Sequence, residues 1–209
     1  MVEIGVLISG GGSNLQAIID EIGKGDIRGR ISLIISNKED AYGLIRGKNV
    51  GIESIFIDPK KFPGMEEYNL ELVKEFKKRN VDLIVLAGYL KILSKEFIDY
   101  YRNKIINIHP SLIPSFCGDG FYGLKVHQAV IENGCKVTGA TVHFVDEGTD
   151  TGPIILQKSL EVKDDDTAQT LQKRVLEIEH EILPKAVRLF CEKRIEIQDS
   201  RTRISEVVI

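Results

Sequence analysis

Asn107 and His109 are the residues of this chain best placed to do chemistry. They lie in Ile105-Ile106-Asn107-Ile108-His109-Pro110-Ser111-Leu112-Ile113-Pro114, an apolar run that ends at a proline-marked exit. Side chains alternate faces along a strand, so Asn107 and His109 point the same way while Ile106 and Ile108 point the other. An amide can donate to an oxygen that gains negative charge. An imidazole can move or stabilise a proton. Pro110 removes a backbone donor and stops the ladder. The same pattern also fits a strand with two satisfied polar residues before a turn, so other residues must decide.

A third partner is available in the acidic loop Asp146-Glu147-Gly148-Thr149-Asp150-Thr151-Gly152-Pro153. One acid from residues 146 to 150, with Asn107 and His109, suits direct group transfer through a tetrahedral intermediate. The amide serves the oxyanion, the imidazole passes a proton, and the carboxylate orients the imidazole. A histidine beside a carboxylate is expected to titrate above its usual value of ~6.5. Cys117 follows His109 closely enough to leave a Cys–His pair as an alternative. The four histidines, His109, His127, His143 and His180, show no i,i+2 or i,i+4 pairing, and no metal is expected.

A second feature stands near the start. Val2–Ile8 reads as a buried strand, Ser9-Gly10-Gly11-Gly12-Ser13-Asn14 as a turn, and Leu15-Gln16-Ala17-Ile18-Ile19 as the start of a helix. Glycines let a backbone approach a ligand closely, and a helix N-terminus offers N–H groups and a positive dipole end. That is the layout of a phosphate cradle. It lacks the Lys-Ser/Thr pair of a Walker loop, and Leu15 stands where a dinucleotide fingerprint needs its third glycine. A plain strand-to-helix turn without a ligand is the other reading.

The elements that must hold these residues alternate strand and helix. Strands are expected over Ile31–Ser36, Glu53–Ile57 and Val81–Ala87, and helices over Asp40–Asn49 and Glu66–Arg79. Such a chain builds a mostly parallel α/β sheet, Rossmann-like, with helices on both faces, whose ligands gather at the carboxyl edge of the strands. Tyr89-Leu90-Lys91-Ile92-Leu93 precedes a helix from about Ser94. Its four apolar residues either tuck into the core or form a slot for a flat ligand. Residues 115 to 123 hold three glycines and three aromatics, which fits a lid or a slack surface loop.

Leu124–Glu132 is expected as a helix, and Lys136–Val145 and Ile154–Leu160 as an antiparallel pair. Asp164 to Thr167 are expected to cap a helix that runs to about Phe190 with an interruption near Pro184. A tail of weak strand character follows from Arg194 to Ile209. The expectation is one domain over 1–209, with a phosphate half to about residue 100 and a catalytic half over about 101–190.

Composition agrees with a compact globular chain of 209 residues, 43% hydrophobic and 28% charged. A net charge of −3 points to no nucleic-acid or membrane surface. Three scattered cysteines, Cys117, Cys135 and Cys191, form no disulfide framework and favour a reducing, cytoplasmic compartment. The opening carries no signal-peptide pattern, and no apolar run reaches the ~20 residues of a membrane span.

Four motifs in order make a resemblance. They are Leu7-Ile8-Ser9-Gly10-Gly11-Gly12-Ser13-Asn14-Leu15-Gln16-Ala17-Ile18, Leu86-Ala87-Gly88-Tyr89-Leu90-Lys91-Ile92-Leu93-Ser94, Asn107 to Pro114, and Thr141-Val142-His143-Phe144-Val145 through Asp150-Thr151-Gly152-Pro153. From about residue 2 to about residue 190 the sequence resembles the phosphoribosylglycinamide formyltransferases, folate-dependent enzymes of purine synthesis.

The resemblance implies an enzyme that moves the formyl group of 10-formyltetrahydrofolate to the glycinamide amine of a ribonucleotide. It implies that Gly11, Gly12, Ser13 and Asn14 hold the ribose phosphate, with Leu90, Ile108, Pro110 and Glu179 also on the nucleotide. Asn107, His109 and Asp150 would be catalytic. Tyr89, Lys91, Ile92, Leu93, Ile98, Val145 and Asp146, with Asn107 and Asp150, would line the folate site, largely through backbone groups. By helical position alone Glu179 reads as a solvated residue. Lys91 stands where arginine is common, and Gly64-Met65-Glu66 lacks the family's arginine there. Both changes imply a weaker hold on the folate tail. The expected partners are these two small molecules, with no nucleic acid and no membrane, in a monomer or homodimer.

Two related activities share the core. A methionyl-tRNA formyltransferase carries a further basic C-terminal domain, and a formyltetrahydrofolate hydrolase an N-terminal regulatory one. Neither pattern is expected here. A non-catalytic phosphate binder would not need Asn107, His109 and Asp150 together.

Overall fold

The computed structural model describes residues 1–205, and the end of the tail, 206–209, lies outside the described residues. Strands hydrogen-bond in the order β3-β2-β1-β4-β5-β6-β7, and a separate two-stranded sheet pairs β8 with β9. The chain divides into two compact units, Met1–Asn107 and Ile108–Ile209.

In the first unit, β1 (Val2–Ile8) runs parallel to both β2 (Gly29–Ser36) and β4 (Leu83–Leu86). β3 (Ser54–Phe56) extends the sheet beside β2, and β5 (Ile105–His109) pairs with β4, both in parallel. Ile4, Val6, Leu7 and Ile8 of β1 are all fully buried. Burial on both faces is why the strand reads as an unbroken apolar run from Ile4 onward, after the half-buried Glu3. The connecting helices are α1 (Ser13–Lys24), α2 (Tyr42–Asn49), α3 (Met65–Lys77) and α4 (Lys95–Tyr100). Ser94 caps α4 as its spacing predicts, with its hydroxyl accepting from the Phe97 N–H at 3.3 Å.

The second unit holds α5 (Leu124–Glu132), then β6 (Val137–Phe144) against β7 (Ile154–Glu161) in antiparallel register. The long helix α6 (Ala168–Cys191) packs on α5, β6 and β7. The helix starts where the run from Asp164 to Thr167 is expected to cap it: its N-cap is Thr167, in a reciprocal capping box with Thr170. Asp166 of the same run accepts from the Lys163 N–H and pairs with Arg174. One expectation for α6 is corrected, because Pro184 does not interrupt the helix: it lies inside α6 and is buried. Proline forfeits one backbone bond there, and burial of the ring among core residues offsets part of that cost. The described part of the tail is also more ordered than expected. It forms a hairpin of β8 (Ile195–Gln198) and β9 (Arg201–Ile204), and the Thr202 hydroxyl donates to the Ile154 carbonyl at 2.6 Å.

Candidate active site

β5 delivers Asn107 half-buried and His109 nearly fully buried, two residues apart on one face. The turn after it is stitched by Thr141 of β6. The Thr141 hydroxyl donates to the Ser111 carbonyl at 2.6 Å and accepts from the Ile113 N–H at 3.1 Å. Ser111 in turn donates to the Ser115 carbonyl at 2.6 Å. A fully buried hydroxyl with this many partners fixes where the strand ends and therefore where the imidazole points.

His109 lies between two acceptors. Its Nε2–H donates to the Phe116 carbonyl at 2.9 Å, and Nδ1 stands 3.4 Å from Asp150 Oδ2. The other Asp150 oxygen, Oδ1, is 3.6 Å from His143 Nε2, and the His143 Nδ1–H donates to the Phe144 carbonyl at 2.8 Å. Asp150 is thus flanked by two imidazoles. Its backbone is in the left-handed region, φ 59°, which asparagine and aspartate tolerate better than most residues.

The electrostatics correct one expectation. Burial pushes the His109 imidazole below the usual histidine value, and it outweighs the upward pull of Asp150 and the Phe116 carbonyl. A sequence shows the neighbouring charge but not the lost water. Asp150 behaves oppositely. Burial drives its carboxyl upward, but His143, His109 and the Gly118 N–H together hold it below the usual carboxylate value. Near neutrality the pair is therefore a carboxylate beside a neutral imidazole. Such an imidazole can take up a proton, and the carboxylate then stabilises the cation.

The Cys–His alternative gains no support, since the thiol is bonded elsewhere and held protonated. Cys117 Sγ donates to the Pro114 carbonyl at 3.3 Å, and burial, then the Asp150 charge, pushes its thiol up. Among the described residues, no group of three or more His, Cys, Asp or Glu could hold a metal ion.

Asp146 spends its carboxylate on its own loop, accepting from the Gly148 N–H at 3.2 Å and the Thr151 hydroxyl at 2.6 Å. Val145 is half-buried, Pro110 is half-buried and Ile108 is buried. Glu179 is buried on the inward face of α6, only 8% exposed, so the solvated reading from helical position does not hold.

In the first unit, Gly11 is exposed, Gly12 and Ser13 are half-buried and Asn14 is buried. Gly12 is the N-cap of α1 in left-handed geometry, φ 69°, and no side chain caps the helix. The first N–H groups of a helix have no intrahelical acceptor. The loop from residue 89 to 93 divides. Tyr89 and Leu93 tuck into the core, as does Ile98 of α4, while Leu90 and Ile92 are 54% and 74% exposed and Lys91 is exposed too. The Tyr89 and Tyr68 hydroxyls are 3.0 Å apart and buried, and burial pushes both phenols up. Tyr89, Leu93 and Ile98 therefore serve packing with their side chains and can offer a ligand only backbone. The Leu90 N–H is taken by the Ser9 hydroxyl at 2.9 Å.

His143 and the backbone of Phe116 and Gly118 were not singled out from sequence. His143 carries one available signal, because it shares the strand face of Thr141 and lies seven residues before Asp150. Backbone partners carry none.

Comparison with known proteins gives a consistent result. A family model described as Formyl transferase matches residues 2–187. The phosphoribosylglycinamide formyltransferase of Haemophilus influenzae is 42% identical over 200 residues, covering 96% of this chain and 92% of that protein. The chloroplastic phosphoribosylglycinamide formyltransferase of Vigna unguiculata is 41% identical over 193 residues. There the chain spans 92% of its own length but 62% of its relative's. Among solved structures, glycinamide ribonucleotide transformylase 1 from Symbiobacterium toebii superposes with a TM-score of 0.94 at 43% identity, covering 99% of this chain and 95% of that one.

Proposed function

The chain belongs to the formyl transferase family, and from that premise we propose that it transfers the formyl group of 10-formyltetrahydrofolate to the amine of 5′-phosphoribosylglycinamide. The products are formylglycinamide ribonucleotide and tetrahydrofolate. The observation that carries the reading is the buried His109 Nδ1 standing 3.4 Å from the Asp150 carboxylate, on the strand that also carries Asn107. Identity above 40% with glycinamide-specific relatives supports the choice of acceptor.

The residues divide the work by their chemistry. Asn107 donates its amide N–H to the formyl oxygen as that oxygen takes up charge. His109, neutral at rest because it is buried, takes up the proton of the attacking amine and stabilises the tetrahedral species as an imidazolium. Asp150 stays ionised and assists that removal by stabilising the imidazolium, which then gives the proton up. The amine nitrogen gains the formyl carbon, the carbon–nitrogen bond to the folate breaks, and the proton ends on the folate nitrogen. Gly11, Gly12, Ser13 and Asn14 hold the nucleotide phosphate with backbone N–H groups at the start of α1. Leu90, Ile108, Pro110 and Glu179 support the nucleotide. Lys91, Ile92, Val145 and Asp146, with the backbone of Tyr89 and Leu93, support the folate. No helix among the described residues is long and apolar enough to cross a membrane. The three free cysteines support a cytoplasmic location.

The test is a spectroscopic assay of folate product from 10-formyltetrahydrofolate, with and without the nucleotide. Turnover that requires the nucleotide is expected. Equal turnover without it would identify a hydrolase and remove the acceptor from the account.

A further inference from the structure

The start of α2 ties down the back of the glycine loop. The Gly43 N–H donates to the Gly10 carbonyl at 3.1 Å, and Arg46 Nε–H donates to the Gly11 carbonyl at 2.8 Å. The next carbonyl, Gly12, accepts from the Gln16 N–H at 2.9 Å in the first turn of α1. A trans peptide is planar, with its N–H pointing opposite to its C=O. Fixing the carbonyls of Gly10, Gly11 and Gly12 therefore turns the N–H groups of Gly11, Gly12 and Ser13 away from those partners. Successive N–H groups set in this way make an anion nest.

Arg46 is itself held firmly. Its Nη1 donates to Gln16 Oε1 at 3.1 Å, and Gln16 donates onward to Asp20 at 2.8 Å. The guanidinium carbon lies 5.0 Å from the centre of the Tyr42 ring. A planar fork can bond Gly11 and Gln16 together, whereas a lysine ammonium acts as a point charge without that geometry. The backbones leave no slack, because a Cβ at Gly12 would come within 2.7 Å of the Gly43 Cα.

We propose that Arg46 is a positioning residue for phosphate recognition, orienting the Gly11–Gly12 peptide so that the Gly12 N–H faces the phosphate, with its charge directly behind the nest. It acts through the loop and does not itself contact the phosphate. The proposal rests on the functional reading above, which makes the glycine loop the phosphate cradle.

The test uses the full chain with Arg46→Met and Arg46→Lys. For Arg46→Met, the KM for the nucleotide and the inhibition constant of inorganic phosphate should both rise about tenfold, as loss of a charge-assisted hydrogen bond implies. The KM for the folate should move less than twofold. Arg46→Lys should fall between Arg46→Met and wild type, because it keeps the charge and loses the fork. Nucleotide KM and phosphate inhibition within twofold of wild type would overturn the proposal. So would a parallel rise in both KM values with a lowered melting temperature, which would mean general loosening. If wild type transfers no formyl group to the nucleotide, the functional reading fails by itself. Calorimetry with inorganic phosphate then still decides the role of Arg46. Binding about tenfold weaker in Arg46→Met supports it, and equal binding, or none to wild type, overturns it.

Discussion

Gly118 donates its backbone N–H to Asp150 Oδ2 at 3.0 Å, and that same oxygen stands 3.4 Å from His109 Nδ1. The loop after β5 therefore aims the carboxylate that faces the imidazole at the end of β5. A second tie runs alongside, from the Thr149 hydroxyl to Asp119 at 3.1 Å. The loop after β5 holds both groups, the acid through the Gly118 N–H and the imidazole through the Phe116 carbonyl.

Asp150→Asn keeps the shape and removes the charge. It should lower kcat by about 10²–10⁴, the range for a positioned proton-transfer group, with little change in either KM. It should also lower the His109 pKa further, since Asp150 is what pulls it upward. Steady-state kinetics and imidazole titration by NMR check the two parts separately.

Thr141→Val should be costly although the two side chains have nearly the same size. It leaves the Ile113 N–H and the Ser111 carbonyl without the hydroxyl that serves both. A loss of about 1–3 kcal/mol in urea unfolding is expected, together with a fall in kcat as the end of β5 loosens.

Tyr89→Phe tests whether this tyrosine is packing or ligand surface. The single variant strands the buried Tyr68 hydroxyl, which pairs with Tyr89 at 3.0 Å, and should cost about 1–3 kcal/mol. Removing both hydroxyls, with Tyr68→Phe added, should recover part of that loss. The folate KM should stay within a few-fold of wild type. A large rise in the single variant without loss of stability would return Tyr89 to the ligand.

Much of this arrangement was legible in the sequence. The strand Val2–Ile8, the glycine turn and the Asn107–His109 alternation all follow from local periodicity and turn chemistry, and the structure reproduces each. Three kinds of fact were not local. Tyr89 and Ile92 belong to one loop, yet Tyr89 goes inward, where its hydroxyl meets that of Tyr68, and Ile92 stays exposed, a difference set by a residue distant in sequence. The Phe116 carbonyl and Gly118 N–H are backbone, so no residue type announces them. The direction of the His109 shift depends on burial, which outweighs the neighbouring charge that spacing reveals.

His127 supplies a pH-dependent part of the stability. It is 1% exposed, its Nδ1 has no hydrogen-bond partner, and burial followed by the proximity of His109 pushes its pKa down to about 4. Its unfolded value is ~6.5, so the unfolded state binds more protons between those limits. The contribution is complete above pH ~6.5 and is lost as pH falls toward 4, by roughly 2–3 kcal/mol at pH ~4.5. His109 shifts in the same direction and adds to the effect. Urea midpoints between pH ~7 and ~4.5 should fall more steeply for wild type than for His127→Gln.

The most direct measurement follows the formyl carbon. Enzyme, glycinamide ribonucleotide and 10-formyltetrahydrofolate labelled with ¹³C in the formyl group are combined and watched by NMR. The label should move to the glycinamide nitrogen, one formamide per folate consumed, and Asp150→Asn should slow the transfer. Label appearing as free formate, at a rate indifferent to the nucleotide, would contradict the proposed transfer.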